Sequence, residues 1–225
     1  MSHARLEERI HQVEERIQTA AQRAGRARDS ITLIAVTKKF GPEVIGEAYS
    51  LGLRVFGENY VQEFAEKLPA VQSLADAQFH LIGHLQSNKA RLAAELFRVV
   101  ETVDSEKLAR RLNEIGKPLE VMIEVKLSEE GSKAGAAAED LPGLIAAIRA
   151  CPNLDLTGLM TMPPWNPDPE TTRPYFRRLA ELARAHELPK LSMGMSHDLE
   201  AAIEEGATHI RVGTALFGPR PRTSE

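Results

Sequence analysis

Eight short apolar runs alternate along the chain with segments of helical periodicity. The runs span residues 31–36, 53–56, 78–82, 98–103, 119–125, 154–160, 190–193 and 208–212. Several are nearly continuous in apolar residues, the pattern of strands covered on both faces. Helical spacing recurs between them over 42–50, 61–74, 88–96, 105–115, 141–150, 172–186 and 198–205. Before the first run, Leu6, Ile10, Val13, Ile17 and Ala20 are spaced for one face of an amphipathic helix that ends near Gly25. Strand–helix alternation predicts a parallel sheet, and eight repeats favour a closed (β/α)₈ barrel. The expectation is one domain over residues 1–225, with an extra helix over 1–26 and the barrel over 31–218.

Composition narrows the setting. Hydrophobic residues make up 43% and charged residues 27%, as in ordinary globular chains. A formal net charge of -4 gives no global attraction to nucleic acid or membrane. The single cysteine, Cys151, excludes an intrachain disulfide and a thiolate metal cluster, and it suits a reducing compartment. The opening Met1-Ser2-His3-Ala4-Arg5 lacks the apolar core of a signal peptide, and no apolar run is long enough to span a bilayer. The expected location is cytoplasmic.

In such barrels chemistry gathers on the loops after the strands. Those loops carry Lys38, Asn59, His84, Asp104, Lys126, Met162, Ser196, Gly213 and Thr214. Lys38 closes the first run. A lysine there is partly desolvated, which lowers its pKa and frees the amine for imine formation. Lys39 is a rival, but alternation puts Lys38 on the face of Ile34 and Val36 and Lys39 on the other. Ser196 and the Gly213-Thr214 turn each precede a helical segment, where backbone N–H groups favour an anion; a plain turn and an ordinary N-cap are the bland alternatives. In a closed barrel the first and last strands are neighbours. An amine and an anion cradle then share one mouth, as pyridoxal 5′-phosphate (PLP) requires.

Arg211 interrupts the last apolar run and needs a partner. It is read either as a donor to the pyridine nitrogen of such a cofactor or as half of an ion pair with Glu58 or Asp104. Asn59 suits a ring hydroxyl or a turn cap. His84 is read as a general base or as a structural or solvated loop histidine, and His80, His197 and His209 lack metal-site spacing, so no metal is expected. Met160, Met162, Met193 and Met195 read as core and pocket lining.

With these residues come longer motifs: Ala35-Val36-Thr37-Lys38, Phe56-Gly57-Glu58-Asn59-Tyr60-Val61-Gln62-Glu63, and His80-Leu81-Ile82-Gly83-His84-Leu85-Gln86-Ser87-Asn88-Lys89. Further on stand Ser132-Lys133-Ala134-Gly135, Gly158-Leu159-Met160-Thr161-Met162, Leu191-Ser192-Met193-Gly194-Met195-Ser196 and Arg211-Val212-Gly213-Thr214-Ala215-Leu216-Phe217-Gly218. In this order they resemble the pyridoxal phosphate homeostasis protein family. The resemblance implies a barrel like the N-terminal domain of alanine racemase, with PLP as a Schiff base on Lys38. It also implies a phosphate held by Ser196, Gly213 and Thr214, Arg211 at the pyridine nitrogen, and Asn59 and Met193 lining the ring. Lys126 and His197 depart from the family pattern, and the Trp165 loop has no assigned role.

The leading function is a PLP carrier without established turnover, acting in vitamin B6 homeostasis. Its partners would be the cofactor and apo-forms of PLP-dependent enzymes, in a monomer or weak dimer. Lys133 is a candidate second lysine for accepting or releasing PLP. Two enzyme readings stand beside it. An amino acid racemase needs an opposite-face tyrosine, of which Tyr49, Tyr60 and Tyr175 are the candidates. A lysine-imine phosphosugar lyase explains the lysine and the cradle but not Arg211.

Overall fold

The strands close on themselves. A computed structural model of the protein describes residues 3–128 and 134–219, so Lys133 lies outside the described residues. The barrel strands are β1 (Thr32–Val36), β2 (Val55–Glu58), β3 (Gln78–Leu81), β4 (Val99–Val103) and β5 (Leu119–Lys126). They continue as β7 (Leu154–Met160), β8 (Lys190–Met195) and β9 (His209–Val212), and all pair in parallel. The β1–β9 ladder seals the ring, with Thr32 opposite His209 and Ala35 opposite Val212. The expected (β/α)₈ barrel is therefore the fold. A two-residue strand, β6 (Ala136–Ala137), pairs with the end of β5. It was not expected, because two residues carry no periodicity.

Most expected strands shift by one or two residues. The second run begins with Leu53 but the strand is Val55–Glu58, because the Leu53 N–H still bonds back to the Ala48 carbonyl of the preceding helix. The helices are α1 (His3–Arg23), α2 (Pro42–Ser50), α3 (Val61–Val71), α4 (Ala90–Leu96), α5 (Glu106–Asn113), α6 (Leu141–Arg149), α7 (Arg173–Ala185), α8 (Leu199–Glu204) and α9 (Thr214–Phe217). Ser105 caps α5 by accepting the Leu108 N–H. Among the described residues, no helix is long and apolar enough to cross a membrane.

Alternation along each strand divides the interior in two. Outward residues such as Leu33, Ala35, Phe56, Phe79, Val100 and Ile210 pack against the helices. Phe64 of α3 meets Phe79 at 4.5 Å and Phe97 at 4.9 Å between ring centroids. Inward positions include Ile34, Val36, Ile82, Val99, Met122 and Met160, all buried. Among them stand His80, Glu101, Ser192 and Arg211. The apolar stripe of α1, with Leu6, Val13 and Ile17 buried, covers α8 and α9. Arg26, just beyond it, donates to the Ile203 and Ala207 carbonyls at 3.0 and 2.8 Å. Arg16 forks onto Glu200 at 2.6 and 2.8 Å. The N-terminal helix thus braces the last two βα units, whose loops frame the mouth.

Candidate functional site

Parallel closure brings every strand's C-terminal end to one face, and the site is built there. Lys38 follows β1 beside Gly213, the residue after β9: a Cβ on Gly213 would stand 3.4 Å from that of Val36. Lys38 is half-buried, while Lys39 is exposed and adopts a left-handed φ of 65°. Ile34 and Val36 face the barrel interior, so alternation carries Lys38 to the mouth.

The loops after β8 and β9 meet at one hydroxyl. Ser196 Oγ accepts the Gly213 N–H at 3.3 Å and the Ala215 N–H at 3.2 Å. Two backbone donors therefore converge on a small polar point beside Thr214, an anion-binding geometry. The β8 turn is shaped by Gly194, whose φ of 90° suits glycine and whose missing Cβ would stand 2.4 Å from that of Ala202. Asp198 Oδ1 then accepts the Met195 N–H at 2.7 Å.

On the other side, Asn59 follows β2. Its Oδ1 is buried and has no hydrogen-bond partner among the described residues. A groove of about 470 Å³ opens there, lined by Tyr60, Gly83, His84 and Gln86 as well as Asn59. Gly83 lets the loop after β3 run against Asn59: a Cβ would lie 2.3 Å from the Asn59 carbonyl oxygen. Backbone cannot yield as a side chain does. Gly83→Ala is expected to destabilise the fold by about 1–3 kcal/mol, as overpacking does; a urea midpoint equal to wild type would contradict it.

Beneath the mouth lies a buried polar chain. Arg211 donates to Ser192 Oγ and to the Thr161 carbonyl, both at 2.8 Å. Ser192 in turn donates to Glu101 Oε2 at 2.5 Å, and His80 Nδ1 lies 2.7 Å from Glu101 Oε1. Arg211 makes no bond to Glu58 or Asp104, as the ion-pair reading supposed; the carboxylate that counters it most is Glu101, one hydroxyl away, with the charges of Asp198 and Glu124 adding to it. Burial pushes the Glu101 carboxyl up, but the hydrogen bond and charge of His80, with the charges of His209 and Arg211, hold it down at about 2. Burial lowers Arg211 too, from a value so high that the guanidinium stays charged. Glu124 is also buried, with Oε2 unpartnered among the described residues. Burial pushes its carboxyl up, partly opposed by Arg211.

His209, the first residue of β9, is held down to about 4 by burial. A histidine depressed from 6.5 binds fewer protons folded than unfolded between those values, so stability is lost as pH falls from about 6.5 to about 4. Glu101 adds to the loss from about 4.5 to about 2. Glu58 and Glu124, raised by burial, act with the opposite sign. His209→Asn is therefore expected to flatten the upper part of the acid limb in urea titrations run across this range. An unchanged slope would remove His209 as its source.

Five of the expected residues, Lys38, Asn59, Ser196, Gly213 and Thr214, stand at strand ends on one face, with Arg211 buried below. Met193 sits in β8 inside the register shift between Ser192 and Met195. It is fully buried in the shell between strands and helices. Its neighbour Ser192 points inward to Arg211 and Glu101, so Met193 points out. Met195, beyond the register shift of β8, is the methionine nearer the mouth. Trp165 is 71% exposed, with its ring 6.1 Å from that of His197, whose Nε2 lies 2.9 Å from the Pro167 carbonyl. Lys126 is exposed at the end of β5.

Sequence reasoning missed Glu101, Ser192 and Lys67, and offered Glu58 to Arg211 rather than to its actual partners. Glu58 is fully buried and accepts from Thr37 Oγ1 and Lys67 Nζ, both at 2.8 Å. Burial nonetheless raises its carboxyl, against the pull of Lys67.

The alanine racemase N-terminal domain family matches residues 9–221. The pyridoxal phosphate homeostasis protein of Pseudomonas aeruginosa is 46% identical over 221 residues, 96% of each chain. That of Aquifex aeolicus is 44% identical over 223 residues, 95% of this chain and 97% of its own. PipY of Synechococcus elongatus, solved with PLP bound, superposes with a TM-score of 0.79 at 39% identity, over 92% of this chain and 100% of its own. Alanine racemase of Corynebacterium glutamicum, at 19% identity, shares the fold, with a TM-score of 0.66 over 95% of this chain and 62% of its own. Likeness over nearly the whole length, in sequence and in structure, makes this chain a member of the pyridoxal phosphate homeostasis protein family, built on the alanine racemase N-terminal barrel.

Proposed function

We propose that this protein binds PLP at the barrel mouth, holds it on Lys38, and serves intracellular vitamin B6 homeostasis as a carrier rather than by turnover. The relatives bear that name, and PipY binds PLP. One observation carries the site: β1, which leads into Lys38, is hydrogen-bonded to the strand whose turn, with Ser196, forms the convergent N–H cradle. The orphaned Asn59 Oδ1 fits the same group, since it is a buried acceptor lacking a donor such as a ring hydroxyl.

When bound, the cofactor's aldehyde condenses with an amine and supplies a reversible covalent anchor. Lys38 offers the amine. Ser196, Gly213 and Thr214 bind the phosphate through the loop hydroxyls and backbone N–H groups. Arg211 presents a donor that does not give up its proton. Set against a pyridine nitrogen, this guanidinium would leave it unprotonated and the ring a poor electron sink. That favours holding over carbanion chemistry. Apo-forms of PLP-dependent enzymes are the natural recipients, in the cytoplasm, and the single barrel domain suffices for the task.

The test is an absorption spectrum of the protein mixed with PLP, then borohydride reduction and peptide mass mapping. A visible band and an adduct on Lys38 are expected. No band, or an adduct scattered over surface lysines, would overturn the reading.

A further inference from the structure

The lysine at the end of β1 has a neighbour of identical chemistry, Lys39, and a third lysine, Lys67, close behind both. Lys67 comes from α3, and its side chain is 6% exposed. Its Nζ donates to the Thr37 carbonyl at 3.0 Å and lies 2.7 Å from Glu63 Oε1. The same Glu63 oxygen accepts the Lys39 N–H at 2.6 Å. Glu58 anchors the cluster from below, bonded to Lys67 and to the Thr37 hydroxyl.

The Thr37 carbonyl belongs to the peptide before Lys38, and the Lys39 N–H to the peptide after it. One ion pair on α3 therefore grips both peptide planes that flank the Lys38 Cα. Fixing those planes fixes φ and ψ at Lys38, and so the direction of its Cα–Cβ bond. The grip also holds Lys39 in the left-handed region at φ 65°, a conformation that a lysine adopts only when its surroundings impose it.

We propose that the Glu63–Lys67 pair is a lysine selector: it positions Lys38 toward the mouth, turns Lys39 out to solvent, and so decides which amine captures the aldehyde. The proposal rests on the PLP reading given above. The chemistry is a plain condensation. The lysine nitrogen adds to the aldehyde carbon, a carbon–nitrogen double bond forms, and the aldehyde oxygen leaves as water. Glu63 and Lys67 are positioning residues, and Lys67 is itself enclosed by its bonds to Glu58, Thr37 and Glu63.

The experiment is borohydride trapping of PLP on the intact protein, with peptide mapping that separates Lys38 from Lys39 and a pH titration of the visible band. Wild type is compared with Glu63→Ala, Lys67→Met and Lys67→Arg. With the selector broken in Glu63→Ala or Lys67→Met, the Lys39 adduct rises from trace to a share comparable with Lys38, and the titration midpoint moves. Lys67→Arg, which keeps a cation with donors, restores Lys38. Circular dichroism verifies the fold. If Lys67→Met does not fold, Glu63→Ala decides alone, since Glu63 is partly exposed and its truncation removes the acceptor of the Lys39 N–H without burying a charge. Folded variants that trap PLP only on Lys38, with the wild-type midpoint, overturn the selector. Absence of any adduct in wild type overturns the PLP reading instead.

Discussion

Glu101→Leu is expected to cost about 3–5 kcal/mol of stability, the penalty for leaving a buried partner charge uncompensated. The substitution strands three groups at once. Arg211 loses the carboxylate that counters it most, Ser192 loses the acceptor of its proton, and His80 loses the carboxylate 2.7 Å from its ring. All are buried inside the barrel, where water cannot replace what is lost. Domains are stable by about 5–15 kcal/mol, so this one side chain accounts for a large share of the total. The melting temperature should fall by on the order of 10 °C in a chain of this size. Glu101→Gln keeps the shape and one acceptor, and should fall between. The double variant Glu101→Leu/Arg211→Met removes both charges, and should recover part of the loss, because a buried pair replaced by apolar groups is often tolerated. A Glu101→Leu protein within about 0.5 kcal/mol of wild type, the range of neutral surface changes, would show that the chain carries no weight.

The same chain shows where sequence reading reached and where it stopped. Arg211 was legible because it interrupts an apolar run, and a cation there must find a partner. Glu101 carries the same signal, since Val99 and Val100 precede it and Val103 follows. The two interruptions are halves of one feature, and reading both would have paired them across the barrel. Lys67 gave no such signal. A lysine four residues after Glu63 on an amphipathic helix reads as a solvated ion pair. Only the seating of α3 on β1 and β2 buries it, and that is a tertiary fact. The strands were legible because a barrel buries both faces and leaves long apolar runs.

Lys38→Ala is expected to abolish the visible band and the trapped adduct, while leaving the fold intact. Lys38 lies beyond the last residue of β1 and is half-buried, so its removal opens no core cavity. Affinity for PLP should fall by about tenfold or more, equivalent to at least about 1.4 kcal/mol, since the covalent anchor is gone but the cradle of Ser196, Gly213 and Ala215 remains. Residual binding should then compete with inorganic phosphate, because backbone N–H groups recognise the phosphate and not the ring. Lys39→Ala is the control, and should keep band and adduct, since Lys39 is turned out of the mouth. The pair separates the candidate chemistries. A sugar imine on Lys38 would be trapped by borohydride without absorbing in the visible, whereas PLP gives both signals together. A variant that lacks Lys38 yet keeps the visible band and full affinity would place the anchor elsewhere, and the juxtaposition of β1 with β9 would lose its functional meaning.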